Sequence, residues 1–259
     1  MSSAGRSISF EKAADYYDRT RALAPETMEE LIDDLVPELA GDVLEIGVGT
    51  GRFALPLHSA GVSMFGVDLA APMIARLIEN AGGTAPFPLA IGDATALPFR
   101  SGVFDAAVAV HVLHLIPAWR DVLTELIRVI KPGGRFLLDP GGGWDQGEWQ
   151  RMRSAFMRGA GLDRIYAGAS SGEEIDGAME ALGATVRTLP EVTERRHRPY
   201  RRMIDALEAG LFSFTWRTGA EAWSRGAAAM RELLAEEGKT PDDIMDFNLS
   251  IRWRAYDLP

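Results

Sequence analysis

One ten-residue stretch constrains this chain more than any other: Val43-Leu44-Glu45-Ile46-Gly47-Val48-Gly49-Thr50-Gly51-Arg52. A short apolar run leads into glycines at alternate positions, and a helix-like segment, RFALPLHSAG, follows. Runs of this length read as strands buried on both faces. Glycine lets the backbone turn sharply and lets a ligand approach where a Cβ would collide. In open α/β sheets, ligands bind at the carboxyl ends of the strands. The stretch therefore predicts a nucleotide-like ligand at the turn. Glu45, two residues before the first glycine, adds to this, because a charge inside a strand is costly to bury unless it binds something.

The rest of residues 43–139 repeats the theme. SMFGVDL (63–69), AIGDA (90–94), FDAAVAV (104–110) and RFLLD (135–139) read as further strands. PMIARLIENAGG and AWRDVLTELIRVIKPGG read as helices between them. Val122, Leu123, Leu126, Ile127, Val129 and Ile130 form a helical stripe, which Lys131-Pro132-Gly133-Gly134 is expected to stop. Strand alternating with helix predicts a doubly wound parallel sheet.

Outside this unit, residues 10–39 look helical, with Met28, Leu31, Ile32 and Leu35 at helical spacing. After residue 140 a glycine-rich loop precedes helical patterns at 148–160 and 172–182. ATVRTL (184–189) alternates as a strand does, and residues 199–238 are mostly helical. NLSIRWRAY (248–256) alternates again and is expected to be a final antiparallel strand. At 259 residues the chain suits one large α/β domain, or one with an elaboration, and can bury a substantial core without disulfides.

The dinucleotide fingerprint G-x-G-x-x-G fits the loop imperfectly. Counted from Gly47, its last position is Arg52; counted from Gly49, its third glycine falls on Ala54. A nicotinamide or flavin oxidoreductase therefore stays open on the glycines alone. Two further acids sharpen the choice: Asp68 ends the next strand, where a carboxylate grips ribose hydroxyls, and Asp93 follows the strand after that.

Together V-L-E-I-G-V-G-T-G, G-V-D-L-A-A-P-M, G-D-A-T-A-L-P-F, F-D-A-A-V-A-V-H-V-L-H-L and R-V-I-K-P-G-G-R-F resemble the class I S-adenosylmethionine-dependent methyltransferases. The likeness is greatest to the small-molecule type related to the ubiquinone and menaquinone biosynthesis enzymes. It covers about residues 10–139, in the family's order. It implies a Rossmann-like α/β fold: a doubly wound seven-stranded sheet, mostly parallel with an antiparallel last strand, plus a helical cap. The implied division is an N-terminal helical lid segment at 1–39, a cofactor-binding core at 40–140, and the rest of the sheet at 141–259 with a substrate cap at about 195–240.

The resemblance also implies site residues. Gly47, Gly49 and Gly51 would pass beside the methionine and ribose of the cofactor, S-adenosyl-L-methionine. Glu45 would order this loop or receive the amino group. Asp68 would hold the ribose hydroxyls, with Leu69 and Met73 against the adenine. Asp93 would accept from the adenine amino group, and Ala94 would offer its backbone N–H. Val110 and His111 would line the methionine end, and Tyr16 and Tyr17 would close over the cofactor. The implied activity is methyl transfer to a small-molecule oxygen, nitrogen or carbon. A non-catalytic cofactor-binding or regulatory protein is the alternative.

His111 directly follows the fourth strand. An imidazole there can take a proton from a hydroxyl or amine nucleophile, so His111 is the candidate general base. His114, three residues on, reads as a structural hydrogen-bonding residue. No nearby acid or third histidine completes a metal site, and none is expected. Arg195, Arg196, Arg198, Arg201 and Arg202 crowd eight residues, read either as a solvated helix start or as a site for an acidic group or phosphate. Trp144, Trp149, Phe212, Phe214 and Trp216 read as cap packing or as the lining of an apolar pocket. Across the whole chain 37 acidic residues outnumber 27 basic ones, which argues against nucleic acid as a partner. Cysteine is absent, so thiolate chemistry is excluded and a cytoplasmic location is expected. No long uncharged apolar stretch suggests a membrane span, and residues 1–21 read as a flexible tail and not a signal peptide.

Overall fold

The computed structural model describes residues 22–141, 147–163, 167–216 and 218–259. Its centre is a seven-stranded sheet in the order β3-β2-β1-β4-β5-β7-β6. The strands are β1 (Asp42–Ile46), β2 (Ser63–Asp68), β3 (Leu89–Ile91), β4 (Phe104–Val110), β5 (Ile130–Asp139), β6 (Thr185–Pro199) and β7 (Ile244–Asp257). β1 pairs in parallel with β2 and β4, β2 with β3, and β4 with β5, whereas β7 joins β5 antiparallel. This is the expected mostly parallel sheet with its antiparallel final strand.

Helices α1 (Pro25–Leu35), α2 (Ala54–Ser59), α3 (Ala71–Asn80) and α4 (Trp119–Val129) accompany the parallel strands. α1 starts with a proline in its first turn, which sets φ at a position that needs no N–H. It buries Leu31, Ile32 and Leu35. α4 buries Trp119, Val122, Leu123, Leu126 and Val129, the expected stripe. It ends one step earlier than expected, because Ile130 is already extended and opens β5. Lys131-Pro132-Gly133-Gly134 loops out of the β4–β5 ladder, whose register jumps from Phe104↔Ile130 to Ala106↔Arg135.

Two further corrections concern the late strands. β6 runs to Pro199, far past residue 189, and β7 begins at Ile244, before residue 248. The alternation persists: Val192 and Arg196 are buried on β6, and Met245, Phe247, Leu249, Ile251, Trp253 and Ala255 on β7. Arg195, Arg196 and Arg198 are therefore strand residues and not a helix start. Only Arg201 and Arg202 lie on a helix, α7 below.

The chain divides into two compact units. The first comprises Met1–Gly141, Ala167–Val192 and Ile251–Pro259, and the second Gly142–Tyr166 and Thr193–Ser250. Leu44, Ile46, Ala107, Ala109, Phe136 and Leu138 from the central strands pack with α4 and α6 (Gly172–Ala181) in the first core. The second unit has its own core, built from α5 (Gly147–Ala160), α7 (Tyr200–Glu208) and α8 (Ala220–Glu236). Trp149, Phe214 and, half-buried, Phe212 belong to it. Trp216 donates to the Gly210 carbonyl at 2.8 Å. Trp144 lies outside the described residues.

Candidate active site

In this order of strands the connection reverses direction between β1 and β4, the place where open α/β sheets bind their ligands. Glu45, the glycine turn, Val110 and His111 lie there, and Asp68 with Leu69 and Asp93 with Ala94 lie at the ends of β2 and β3.

The Gly47–Gly51 turn leaves β1. Gly49 has φ +56°, in the left-handed region that favours glycine. A Cβ added there would come no closer than 3.5 Å to any protein atom, the nearest being Met73 Cε. Conformation, not crowding by the protein, demands glycine at 49, and the space in front of it is open to a ligand.

Asp68 pins this loop from the end of β2. Its Oδ2 accepts from Gly49 N at 2.9 Å and its Oδ1 from Ala70 N at 2.8 Å. Burial pushes the Asp68 carboxyl above its ordinary value, while the N–H groups of Ala70, Gly49 and Leu69 pull it back. The pinning role is not legible in sequence, since it depends on β2 lying beside β1.

Glu45 lies beneath the loop in β1 and is only 2% exposed. Burial pushes its carboxyl up to about 8. The Asp68 charge adds to this, and the Arg52 charge and the Ala54 N–H oppose it. Its Oε2 is buried with no hydrogen-bond partner. An orphaned carboxylate oxygen beside an open glycine turn is what a site for a cationic or N–H-bearing ligand requires.

His111 begins the loop after β4 with φ 53°, the only positive value on a non-glycine among the described residues. Val110 pairs with Asp139 across β4 and β5, and His111 N donates to Asp139 O at 3.0 Å. His111 Nε2 lies 3.0 Å from Asp139 Oδ2, and Asp139 Oδ1 accepts from Gly141 N at 2.9 Å. Burial, the largest single influence, would raise the Asp139 carboxyl. The His111 charge and hydrogen bond, the Gly141 N–H and the Arg52 charge outweigh it and hold the group below its ordinary value. Asp139 is thus a buried carboxylate that orients the imidazole. Sequence reasoning missed it. The available signal was that RFLLD ends in an acid on a strand adjacent to the one preceding His111.

The remaining residues are more dispersed. Met73 is buried under the loop, whereas Leu69 is exposed beyond Asp68. Asp93 and Ala94 follow β3 and are half-buried. Asp93 Oδ1 accepts from Thr95 N at 2.9 Å and from Thr95 Oγ1 at 2.8 Å. His114 sits in a separate single turn, Leu113–Leu115, so it does not share a helix face with His111. Its carbonyl accepts from Gly168 N at 2.8 Å. Tyr16 and Tyr17 lie outside the described residues.

The sequence profile of the methyltransferase domain family matches residues 44–138, the span from β1 to the end of β5. A phosphatidylethanolamine N-methyltransferase of Cereibacter sphaeroides is 34% identical over 121 residues, 46% of this chain and 59% of that protein. A demethylmenaquinone methyltransferase of Streptomyces avermitilis is 28% identical over 237 residues, 85% of this chain and 93% of that one. In most of these matches the chain spans about half the length of the curated relative. The crystal structure of the YcgJ protein from Bacillus subtilis superposes with a TM-score of 0.61 at 20% identity, covering 91% of this chain and all of that one, a likeness of fold. No helix among the described residues is long and apolar enough to cross a membrane. The glycine turn, the strand-end acids, the sheet order and these matches agree: residues 44–138 match the methyltransferase domain family, and over most of its length the chain is similar to a demethylmenaquinone methyltransferase.

Proposed function

We propose that the chain catalyses transfer of a methyl group from S-adenosylmethionine to a small-molecule nucleophile. The observation that carries this reading is the pairing of two devices at one strand reversal: an open glycine turn pinned by Asp68, and a histidine oriented by a buried carboxylate. The cofactor fits the residues present. The orphaned Glu45 oxygen and the partly occupied Asp68 carboxylate offer acceptors to amino and hydroxyl groups, and at Gly49 an added Cβ would meet only Met73 and the Gly47 carbonyl, both at ordinary contact distance.

In this reading Gly47, Gly49 and Gly51 run beside the methionine and ribose, and Glu45 faces the positive end of the ligand. Asp68 holds the ribose hydroxyls while keeping the loop in place. Leu69 and Met73 flank the adenine, Asp93 accepts from its amino group, and Ala94 donates to the ring. Val110 and His111 border the methionine end, and Tyr16 and Tyr17 cover it. The helical segment at about 195–240 is read as the part that selects the substrate.

The bound cofactor supplies a methyl group already activated on a positively charged sulfur. The protein's part is alignment and exclusion of water, contributions that reach roughly 7–11 kcal/mol in well-oriented systems. With Nε2 held by Asp139, His111 presents Nδ1 to take a proton from an acceptor that arrives protonated. The resulting imidazolium is stabilised by the carboxylate beside it.

Calorimetric titration of the full chain with S-adenosylhomocysteine tests the reading, followed by a methyl-transfer assay against a small-molecule library. Binding in the micromolar range is expected, with about 10²-fold or greater loss in Asp68→Ala, because charge-assisted bonds of ~1.5–3 kcal/mol each are removed. Binding of NAD in place of the nucleoside, or unchanged affinity in Asp68→Ala, would overturn it.

A further inference from the structure

Glu45 is enclosed from both sides of its strand. Its neighbours across the sheet are Gly66 on β2 and Val108 on β4, and neither carries a polar side chain. Only 2% of the residue is exposed. The Ala54 N–H at the start of α2 donates to its carboxyl, while Oε2 is buried with no hydrogen-bond partner. The charges that act on it come from two places, Arg52 at the end of the glycine turn and Asp68 at the end of β2, and they have opposite signs. β4 brings nothing titratable to the same end of the sheet until His111, whose ring is tied to Asp139.

A carboxyl in this setting can exist in two forms, and they differ in cost. The ionised form holds a full charge away from water. The neutral form leaves a single polar atom without a partner, which is a much smaller penalty. The repulsion from Asp68 offsets part of the attraction to Arg52, so burial decides. In keeping with this, the group holds its proton up to about pH 8.

We infer that Glu45 carries a proton in the free protein and that S-adenosylmethionine expels it on binding, which links cofactor affinity to pH. The inference rests on the methyltransferase reading, because it takes the α-ammonium of the cofactor as the incoming charge. An ammonium set against Oε2 gives that oxygen its missing donor and an opposite charge at close range, and both favour the ionised carboxyl. The balance is simple. The neutral carboxyl gives its proton to solvent, the ammonium keeps its own, and a carboxylate–ammonium pair remains. Asp68 is a poorer proton store, since both its oxygens already accept backbone N–H groups. The sign follows from the release. Binding strengthens as pH rises, until the free protein sheds the proton by itself.

The test is calorimetric titration of the full chain with S-adenosylhomocysteine at about pH 6.5, in buffers of different ionisation enthalpy, which counts the protons released. About one per site is expected in the wild type. Between pH 5.5 and 7.5 the affinity should rise roughly tenfold per unit. 5′-Methylthioadenosine keeps the nucleoside and the sulfur but lacks the amino-acid portion. It should bind the same wild-type protein with no release and a flat pH profile. Glu45→Gln should abolish the release with S-adenosylhomocysteine and flatten its profile. Binding of S-adenosylhomocysteine without release overturns the inference and leaves the methyltransferase reading in place. Release that persists in Glu45→Gln, or that occurs equally with 5′-methylthioadenosine, does the same. If neither nucleoside binds, the methyltransferase reading fails and the inference falls with it.

Discussion

The two ends of the central sheet treat their charges in opposite ways. At the amino ends of β1 and β5, acids and bases neutralise each other. Arg187 Nη2 lies 2.8 Å from Glu38 Oε2 and its Nε 2.7 Å from Asp257 Oδ2, while Arg135 Nε lies 2.6 Å from the same aspartate. Glu38 and Asp257 are held below their ordinary values, chiefly by hydrogen bonds from Arg187. Nearby, Lys131 Nζ and the Asp42 N–H both reach Asp105. At the carboxyl ends of β1, β2 and β5, backbone N–H groups hold Asp68, a histidine and a backbone N–H hold Asp139, and the charge of Arg52 acts on both Glu45 and Asp139. The first arrangement is complete without a ligand. The second leaves buried acceptors whose protonation can be reset by whatever binds, as expected of a functional site.

The difference can be broken at the active end first. His111→Gln should lower the rate of transfer to a hydroxyl or ammonium acceptor roughly 10²–10⁴-fold, the range for general-base catalysis. Asp139→Asn should lower it in the same direction by less, and S-adenosylhomocysteine affinity should barely change in either. In the wild type the rate should rise with pH as neutral imidazole accumulates. Near-wild-type turnover in His111→Gln would reduce the residue to a shaping role.

Next in size is a stability effect at Glu45. Its folded carboxyl holds its proton up to about pH 8, whereas the unfolded chain releases it above 4.5. Between those values the unfolded state binds fewer protons, so stability falls as pH rises, by at most ~1.4 kcal/mol per unit. Glu45→Gln should remove that slope and exceed the wild type by about 3 kcal/mol near pH 7. Denaturant titrations of both proteins at pH 5.5 and 7.5 would show it, and parallel curves would mean that the carboxyl is already ionised.

The smallest effect belongs to the closed end. Arg187→Gln should cost about 1 kcal/mol at neutral pH, because its partners are roughly one-third exposed or less and solvent screens them. The contribution is present above the ordinary carboxylate value and is lost as pH falls through the depressed values of Glu38 and Asp257. Thermal melts should therefore separate wild type and variant less at pH 3 than at pH 7. A change in cofactor affinity would contradict the division between the two ends.

The sequence made the parallel core readable because each buried strand is a short apolar run and each connection carries its own glycine or proline stop. Asp68 was readable for the same reason: it ends a run. Asp139 also ends a run, yet its role came from register, which sets Val110 beside it and brings His111 within reach. Pinning of Gly49 by Asp68 is likewise a contact between neighbouring strands. The arginines were counted but misplaced, because Pro190 obscured the continued alternation that carries β6 to Pro199. Once that strand is drawn, Arg195 is seen to pair with Asp246 and Arg196 with Glu194.

The double attachment of His111 to Asp139, through backbone and through ring, has a thermodynamic consequence. Losing the carboxylate would leave the backbone tether intact, so the Cα of His111 would stay where it is while the imidazole gained rotational freedom. The penalty in Asp139→Ala would then fall on the entropy of activation, since the ring must be re-ordered in every turnover. The temperature dependence of the rate, more than its value at any one temperature, would carry the signature of that second tether.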